Sequence, residues 1–419
     1  MEILVGGILE GIKKMKKNKY MMTAIMLYLN YFVHGMGVII ISQNATSLAH
    51  QWGTTTAGAI AVVSSLGVGR IINLLISGIL SDKFGRKPFV QLGIVFYFVF
   101  FVGILFSKNV TVAYILGICA GMANSFLDTG TYPGLMEIFP NAKGTSNVVL
   151  KAFISGAQFL LPFIVSGLAS AGAWYGWSFV IPAAILVITF IYFLFGAFPD
   201  SKAVAEAEEK KAEEAEKEAA TDNAEPVKSN KWLDGTLFIL YGYISQATFY
   251  MVSQMLTQYG QSISHMSDTA AHALVSWYSL GSICCVIVTA LIGNKFKEIQ
   301  LVPVYTLCAF IAIFLMWAFP TNAGLMAVLA FAVGFFAAGG VMQLGLTVMA
   351  EFFPAGKGTV TGLFYTAGSI ASFTIPLVIN ALPNMRSVMF FDVIVALLGF
   401  LDTSLIAIRY KKLFGSLSK

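Results

Sequence analysis

The chain has 419 residues, of which 57% are hydrophobic and only 11% are charged, and its formal net charge is +5. A soluble domain carries about 25% charged residues, so this composition excludes an ordinary soluble enzyme or binding domain. The positive net charge does not indicate a nucleic-acid-binding protein, because nothing in the chain would stack on bases or follow a phosphate backbone.

The first 20 residues form a basic arm with five lysines, which we expect to stay on the cytoplasmic side of a membrane. Apolar segments of about 20 residues follow, and each is long enough to cross a bilayer as a helix. We predict twelve such helices, named spans 1 to 12 in chain order: 21–43, 57–80, 88–107, 111–137, 146–170, 175–197, 235–259, 272–293, 300–319, 323–350, 359–381 and 388–409.

The basic residues favour one orientation of these spans. Twenty-two of the 26 Lys and Arg residues fall on one predicted side of the membrane, and two, Lys108 and Arg386, fall on the other. Because cytoplasmic loops carry the excess of basic residues, both termini and the segment between spans 6 and 7 are predicted to be cytoplasmic. That segment, 199–231, contains a run of Ala, Glu and Lys that predicts a solvated charged helix or a flexible tether.

One nine-residue motif occurs twice. Glu137–Thr145 reads EIFPNAKGT and Glu351–Thr359 reads EFFPAGKGT, an offset of 214 residues that also relates Pro162 to Pro376. Such a repeat indicates duplicated halves, an architecture of secondary transporters in which the solute site lies between the halves. We therefore predict an all-α membrane protein with twelve transmembrane helices in two pseudo-symmetric six-helix halves. Its predicted parts are an arm at 1–20, a first half at 21–198, a linker at 199–231, a second half at 232–410 and a tail at 411–419.

The loop after span 2 reads GILSDKFGRK from Gly78 to Lys87. It closely resembles the signature loop of the major facilitator superfamily, in which Gly, Asp, Gly, Arg and Lys recur at these spacings between helices 2 and 3. With twelve spans in two halves, the resemblance covers the whole chain and implies the transporter fold of that superfamily. The matching residues are Gly78, Asp82, Gly85, Arg86 and Lys87.

The resemblance also implies a role for these charges. Asp82 and Arg86 would belong to a cytoplasmic charge network with the acid that ends span 4, here Glu137, and this network would latch the halves in the outward-open state. Charge-assisted bonds of this kind can break and re-form as the halves rock. In the second half the corresponding latch residue is Glu351, and Asn294 stands where the loop acid belongs, so we expect an asymmetric latch. The alternative is that the charges only fix the topology.

Polar side chains recur at helical spacing inside several spans, where they are costly unless they have a role. These rows predict one polar cavity, because lipid-facing amides would lack partners, although glutamines in spans also hold helices together. Helices 1, 4, 7 and 10 line the cavity in the superfamily. The candidate solute-binding residues are Asn30, His34, Arg70, Asn124, Lys151, Gln158, Gln246, Tyr250, Gln254, Trp277, Gln343 and Tyr365.

Some of these residues have a second interpretation. Arg70 occupies a position where arginine is common across the superfamily, so a general packing role would also explain it. Lys151 could extend its amine to the inner surface of the membrane. Asp392 and Asp402 of span 12 are expected to be peripheral to the cavity.

The predicted function is alternating-access secondary transport, with protons driving the uptake of a small organic anion. Asp128 is the first candidate for proton coupling, since its protonation would respond to burial and to a nearby cation, and His34 is the second. Arg70 and Lys151 are two cations facing one deep acid, a surplus that favours a carboxylate-bearing solute.

Two other transport functions remain open. Aromatic residues near the predicted cavity would also suit a sugar-like solute. A proton-coupled exporter of drugs or metabolites is the second alternative, but the glycine-rich helix 5 motif of exporters is degraded here. Leu161 precedes Pro162, and Val165 and Ser166 stand where the motif has a glycine pair.

We expect no enzymatic activity, cofactor or metal, since the sequence shows neither a nucleophile with a base nor a metal-ligand spacing. The expected partners are a small solute, protons and the lipid bilayer, without nucleic acid. The superfamily implies a functional monomer, and we expect it in a bacterial plasma membrane.

Overall fold

The structure is a computed structural model that describes residues 18–139, 143–199, 230–292, 296–353 and 357–415. All regular structure in these ranges is helical. Most of the predicted arm at 1–20 and of the predicted linker at 199–231 lies outside the described residues, as do Asn294 and the end of the tail.

The observed helices confirm the predicted fold and lie close to the predicted spans. One short helix that the sequence did not predict, Ala45–Trp52, follows span 1. In chain order the spans are Met21–Gln43, Thr56–Ala61 with Ser64–Phe84, Arg86–Phe106, Val110–Ile138, Lys143–Ser170, Trp177–Phe195, Lys231–Ser262, Asp268–Ile292, Glu298–Ala318, Ala323–Val333 with Val341–Phe352, Lys357–Ala381 and Met385–Phe414.

In the described ranges, eleven spans are long and apolar enough to cross a membrane by length and composition. The twelfth is span 7, a helix of 32 residues that carries several glutamines. Two of these, Gln254 and Gln258, are only 1% and 7% exposed, so protein rather than lipid surrounds their amides. Span 7 is therefore an inner helix of the bundle.

The repeated residues occupy equivalent places in the two halves. Pro162 lies within span 5 and Pro376 within span 11, while Glu137 and Glu351 lie at the ends of spans 4 and 10. Because the number of spans is even, the start of span 1 and the end of span 12 lie at the same end of the bundle. We name this end the terminal face and the opposite end the distal face.

Span 10 is not the single helix predicted at 323–350. A π-helical segment, Gly334–Ala338, interrupts it, and Gly340 follows with φ +121°. A residue with a Cβ atom rarely adopts this backbone conformation, so the break depends on glycine. Span 2 is also divided, by a turn at residues 62 and 63.

Spans 2 and 4 are in direct backbone contact through small residues. A Cβ atom built on Gly69 would lie 2.1 Å from the Ile118 carbonyl oxygen, and one on Gly121 would lie 2.1 Å from the Leu66 carbonyl oxygen. Small residues are what allow membrane helices to approach this closely. This contact holds span 2, and with it Arg70, against span 4.

Gly121→Ala should therefore destabilise the folded protein, because the added methyl group has no space between spans 2 and 4. Overpacking of this kind costs about 1–3 kcal/mol, which thermal unfolding in detergent would detect. Gly156→Ala is the matched control, since nothing lies within 4 Å of a Cβ atom at Gly156. An equal loss of stability in both variants would contradict the packing argument.

Candidate functional site

Asp128 on span 4 is the centre of a buried group of polar side chains. One carboxylate oxygen accepts a hydrogen bond from the Arg70 guanidinium at 3.0 Å, and the other accepts one from the Tyr31 hydroxyl at 2.5 Å. The Arg70 and Asp128 side chains are 23% and 15% exposed. Since an unpaired charge at this depth is costly, each group stabilises the other.

Aromatic side chains surround this ion pair. The Tyr31 ring lies edge-on to the rings of Tyr132 and His34, with centroid distances of 5.5 Å in both cases. Nδ1 of His34 lies 2.6 Å from the Tyr97 hydroxyl oxygen, and the tautomer of His34 decides which group donates. We name this group the central charge cluster: Tyr31, His34, Arg70, Tyr97, Asp128 and Tyr132.

Lys151 on span 5 is the second cation of the site, and it has a different environment from Arg70. Its amine lies 5.7 Å from the centre of the Phe249 ring on span 7, a cation–π contact between the two halves. No carboxylate in the described ranges forms an ion pair with it. Lys151 therefore keeps its hydrogen-bond donors available for another anion.

The second half faces the cluster with aromatic side chains. Tyr250 of span 7 and Tyr365 of span 11 both lie within electrostatic range of Arg70. Tyr365 is the counterpart of Lys151 at the repeat offset of 214 residues. The cation and the phenol thus occupy equivalent positions of the two halves.

The glutamines in the polar row on span 7 form hydrogen bonds with two different parts of the protein. Gln246 donates to Ser372 within the second half, with a distance of 3.2 Å. Gln254 and Gln258 instead donate to the carbonyl oxygens of Val38 and Ser42 on span 1, at 3.0 and 2.7 Å. The last two glutamines therefore join the halves, which is the alternative role that the sequence left open.

The other candidate solute-binding residues differ in how far they are buried. Asn30 is fully buried and accepts a hydrogen bond of 2.7 Å from Thr189 on span 6, so it packs within the first half. Trp277 is 46% exposed and Gln343 is exposed, whereas Asn124 and Gln158 are half-buried. Their roles in solute binding stay predictions.

Further contacts between the halves lie toward the distal face, and the sequence did not reveal them. Gln43 donates to Thr257 at 2.9 Å and lies 2.8 Å from Nδ1 of His272, while Ser166 donates to Thr269 at 3.2 Å. We name this group the distal contact layer: Gln43, Ser166, Gln254, Thr257, Gln258, Thr269 and His272. A cavity of about 650 Å³ lies against it.

One feature of the sequence points to two of the contact residues that were not predicted. Gln43 and Thr257 are separated by the repeat offset of 214, so they are equivalent positions of the two halves that touch each other. Tyr31 and Tyr97 of the central charge cluster gave no such signal, because aromatic residues are frequent in every span and their direction depends on neighbouring helices.

The signature loop contributes contacts within the first half. Arg86 donates to Glu137 at 3.1 Å and to Ser81 at 3.1 Å, and Lys87 donates to the Gly196 carbonyl oxygen at 3.0 Å. Gly85 has φ +85°, and the space beside Gly78 is open up to a Thr129 methyl group at 3.9 Å. The side chain of Asp82 lies outside the described residues.

The second half has a different arrangement at the equivalent place. Glu351 accepts a hydrogen bond of 2.6 Å from the Tyr410 hydroxyl, where Glu137 accepts one from an arginine.

The family model described as Major Facilitator Superfamily matches residues 27–376 and 264–411. The chain belongs to the major facilitator superfamily. It is thus a membrane transporter whose two halves are unequal at the terminal face.

Relatives of this major facilitator are also named as transporters. It is 47% identical to the inner membrane transport protein YdiM of Escherichia coli over 399 residues, which cover 94% of this chain and 96% of the relative. It is 35% identical to YdiN of E. coli, an inner membrane transport protein, with 94% and 92% of the two chains covered. An uncharacterised MFS-type transporter of Bacillus subtilis, YfkL, is 36% identical, with 94% and 98% covered.

Solved structures support the fold of this major facilitator. A D-xylose-proton symporter superposes with a TM-score of 0.70 at 15% identity, covering 92% of this chain and 96% of the other. A partially occluded inward-open structure of the xylose transporter XylE from E. coli gives 0.67 at 14% identity, covering 93% and 98%. At these identities the similarity concerns the fold alone.

Proposed function

We propose that this major facilitator is a proton-coupled symporter that carries a small carboxylate-bearing solute into the cell. The observation that carries this proposal is the Arg70–Asp128 ion pair on spans 2 and 4, together with Lys151, which has no carboxylate partner among the described residues. Membership of the superfamily supports transport, and the ion pair supports coupling of a proton to an anion.

The coupling follows from competition for Arg70. When Asp128 binds a proton it loses its charge, and its hydrogen bond to the guanidinium becomes weaker. Arg70 can then donate to the carboxylate of a solute instead, and Nε of Arg70 already lacks a partner in the described structure. Loss of the proton restores the ion pair and displaces the solute, so proton and solute bind and leave together.

We place the terminal face in the cytoplasm, because basic residues are concentrated on that side of the sequence. The distal face is then the outer one. The hydrogen bonds of the distal contact layer join the halves there, which supports access to the central charge cluster from the cytoplasm in this conformation.

A sugar-type symporter is the second candidate. Tyr31, Tyr132, Tyr250 and Tyr365 surround the ion pair, and aromatic rings of this kind can stack against a sugar ring. The two similar solved structures are described as xylose transporters, although their low identity supports the fold only. A neutral solute would leave Lys151 without an anion to bind.

The test is transport by the purified protein in liposomes, with organic anions, sugars and amphiphilic cations offered in turn. We expect an inwardly directed proton gradient to drive accumulation of an organic anion. Transport of sugars alone would favour the second candidate, and proton-driven movement of amphiphilic cations in the opposite direction would show an exporter.

Lys151→Gln should weaken binding of the transported anion by about 10–100-fold, because a charge-assisted hydrogen bond contributes about 1.5–3 kcal/mol. Lys151→Arg is the matched variant and should keep most of the affinity, since it restores the charge. Equilibrium binding of the anion to purified protein measures both. Unchanged affinity in Lys151→Gln would assign this lysine a structural role.

A further inference from the structure

Span 12 contains two carboxyl groups away from the central charge cluster. Asp392 is fully buried and Asp402 is 5% exposed, and their helix packs against spans 7 and 9. In the described structure, neither oxygen of either carboxyl group has a hydrogen-bond partner. Buried carboxylates are normally paired, so this arrangement requires an explanation.

A small cavity with a mostly apolar lining lies in the same half, beside span 12. Ala396 and Gly399 line it, four and seven residues after Asp392, and helical spacing places them on the same side of the helix as Asp392. Its volume of about 20 Å³ is enough for one water molecule. Three of its lining residues carry hydroxyl groups: Ser245, Thr248 and Thr306.

The groups that face the two acids do not neutralise a negative charge. Tyr278 of span 8 lies within electrostatic range of Asp392, and its hydroxyl donates to the Phe249 carbonyl oxygen at 3.0 Å. Tyr241 of span 7 lies within range of Asp402, and its hydroxyl donates to the Val341 carbonyl oxygen at 2.7 Å.

Span 9 packs most closely against span 12, and it offers no cation either. Thr306 of span 9 shares a hydrogen bond of 2.8 Å with Thr403, the neighbour of Asp402. The Tyr305 hydroxyl lies 3.1 Å from the Thr289 hydroxyl of span 8. Among the described residues, no Lys, Arg or His forms an ion pair with Asp392 or Asp402.

We propose that Asp392 and Asp402 are proton-binding sites of the second half, each holding a proton at neutral pH in this conformation. An ionised carboxylate without a partner in a protein interior is so unfavourable that the group takes up a proton instead. These two sites are separate from Asp128. The proposal does not depend on the identity or direction of the transported solute.

Infrared spectroscopy of the purified protein at neutral pH tests this directly, because a protonated carboxyl group has a C=O absorption band that a carboxylate lacks. We expect the parent protein to show the band, and Asp392→Asn and Asp402→Asn each to lose part of it. Asp268→Asn is the control, since Asp268 is exposed at the start of span 8, and we expect this variant to keep the whole band. Absence of the band from the parent protein at neutral pH would overturn the proposal.

The other ligand that a buried carboxylate could hold is an alkali cation. Thermal unfolding distinguishes a bound alkali cation from a bound proton. Asparagine reproduces the shape of an uncharged aspartic acid, so both variants should unfold at the temperature of the parent protein. Replacing choline by Na⁺ should change none of these temperatures. If Na⁺ stabilises the parent protein but neither variant, the acids bind a metal cation and the proposal of bound protons is wrong.

Discussion

The Asp128→Asn variant is expected to exchange solute across a membrane but to lose proton-driven accumulation. The carbonyl oxygen of asparagine can still accept the hydrogen bond from Arg70, and its NH2 group can donate to the Tyr31 hydroxyl oxygen, so the shape of the site is kept. It cannot bind or release a proton, so the competition between Asp128 and the solute for Arg70 ends. Solute would then equilibrate and not concentrate.

Two measurements on the same liposomes distinguish solute exchange from proton-driven accumulation. Counterflow, in which unlabelled solute inside exchanges for labelled solute outside, should continue in Asp128→Asn. Uptake against a concentration gradient, driven by an imposed proton gradient, should fall to the level of empty liposomes. Asp268→Asn removes an exposed acid at the distal face and should behave like the parent protein. If Asp128→Asn still accumulates solute, another group carries the coupled proton.

The second large effect is expected from a disulfide across the distal contact layer. The Ser166 and Thr269 hydroxyl oxygens, on spans 5 and 8, are 3.2 Å apart, so Ser166→Cys with Thr269→Cys places two thiols within reach of each other. Alternating access requires the halves to separate at this face. Oxidation should therefore stop transport, and a reductant should restore it.

The experiment requires a background without the four native cysteines, Cys119, Cys284, Cys285 and Cys308. Thr306→Cys with Thr403→Cys is the matched control, because those hydroxyl oxygens are 2.8 Å apart but both belong to the second half. Oxidation of this control pair should leave transport unchanged. Transport at the parental rate through the oxidised Ser166–Thr269 pair would show that the halves do not part at the distal face.

The fold could be predicted because its signals lie in the chain itself. Runs of apolar residues mark the spans. The two halves are marked by the repeat, in which Glu137 recurs as Glu351 and Pro162 as Pro376. These features depend on the membrane thickness and on local backbone chemistry, so no tertiary contact is needed to recognise them. The break in span 10 was missed because a run of glycine and aromatic residues is still apolar.

The site was only partly predictable, because helical spacing tells which residues share a side of a helix but not what that side faces. Asp128 and Arg70 were both chosen as ionisable groups in the membrane, and the structure joins them directly. Asn30 was chosen by the same reasoning, yet it faces span 6. Tyr31, one residue further, reaches Asp128, a rotation of about 100° around the helix.

The contact between Gln43 and Thr257 has a consequence for the origin of the molecule. Gln43 and Thr257 are equivalent positions of the repeat. Their contact therefore lies beside the axis that relates the two halves. In a dimer of identical six-helix chains the same contact would be isologous, with each subunit presenting the same side chain to its twin. Because both halves belong to one chain, the two positions can differ, and glutamine opposite threonine is a pairing that a dimer of identical chains could not form.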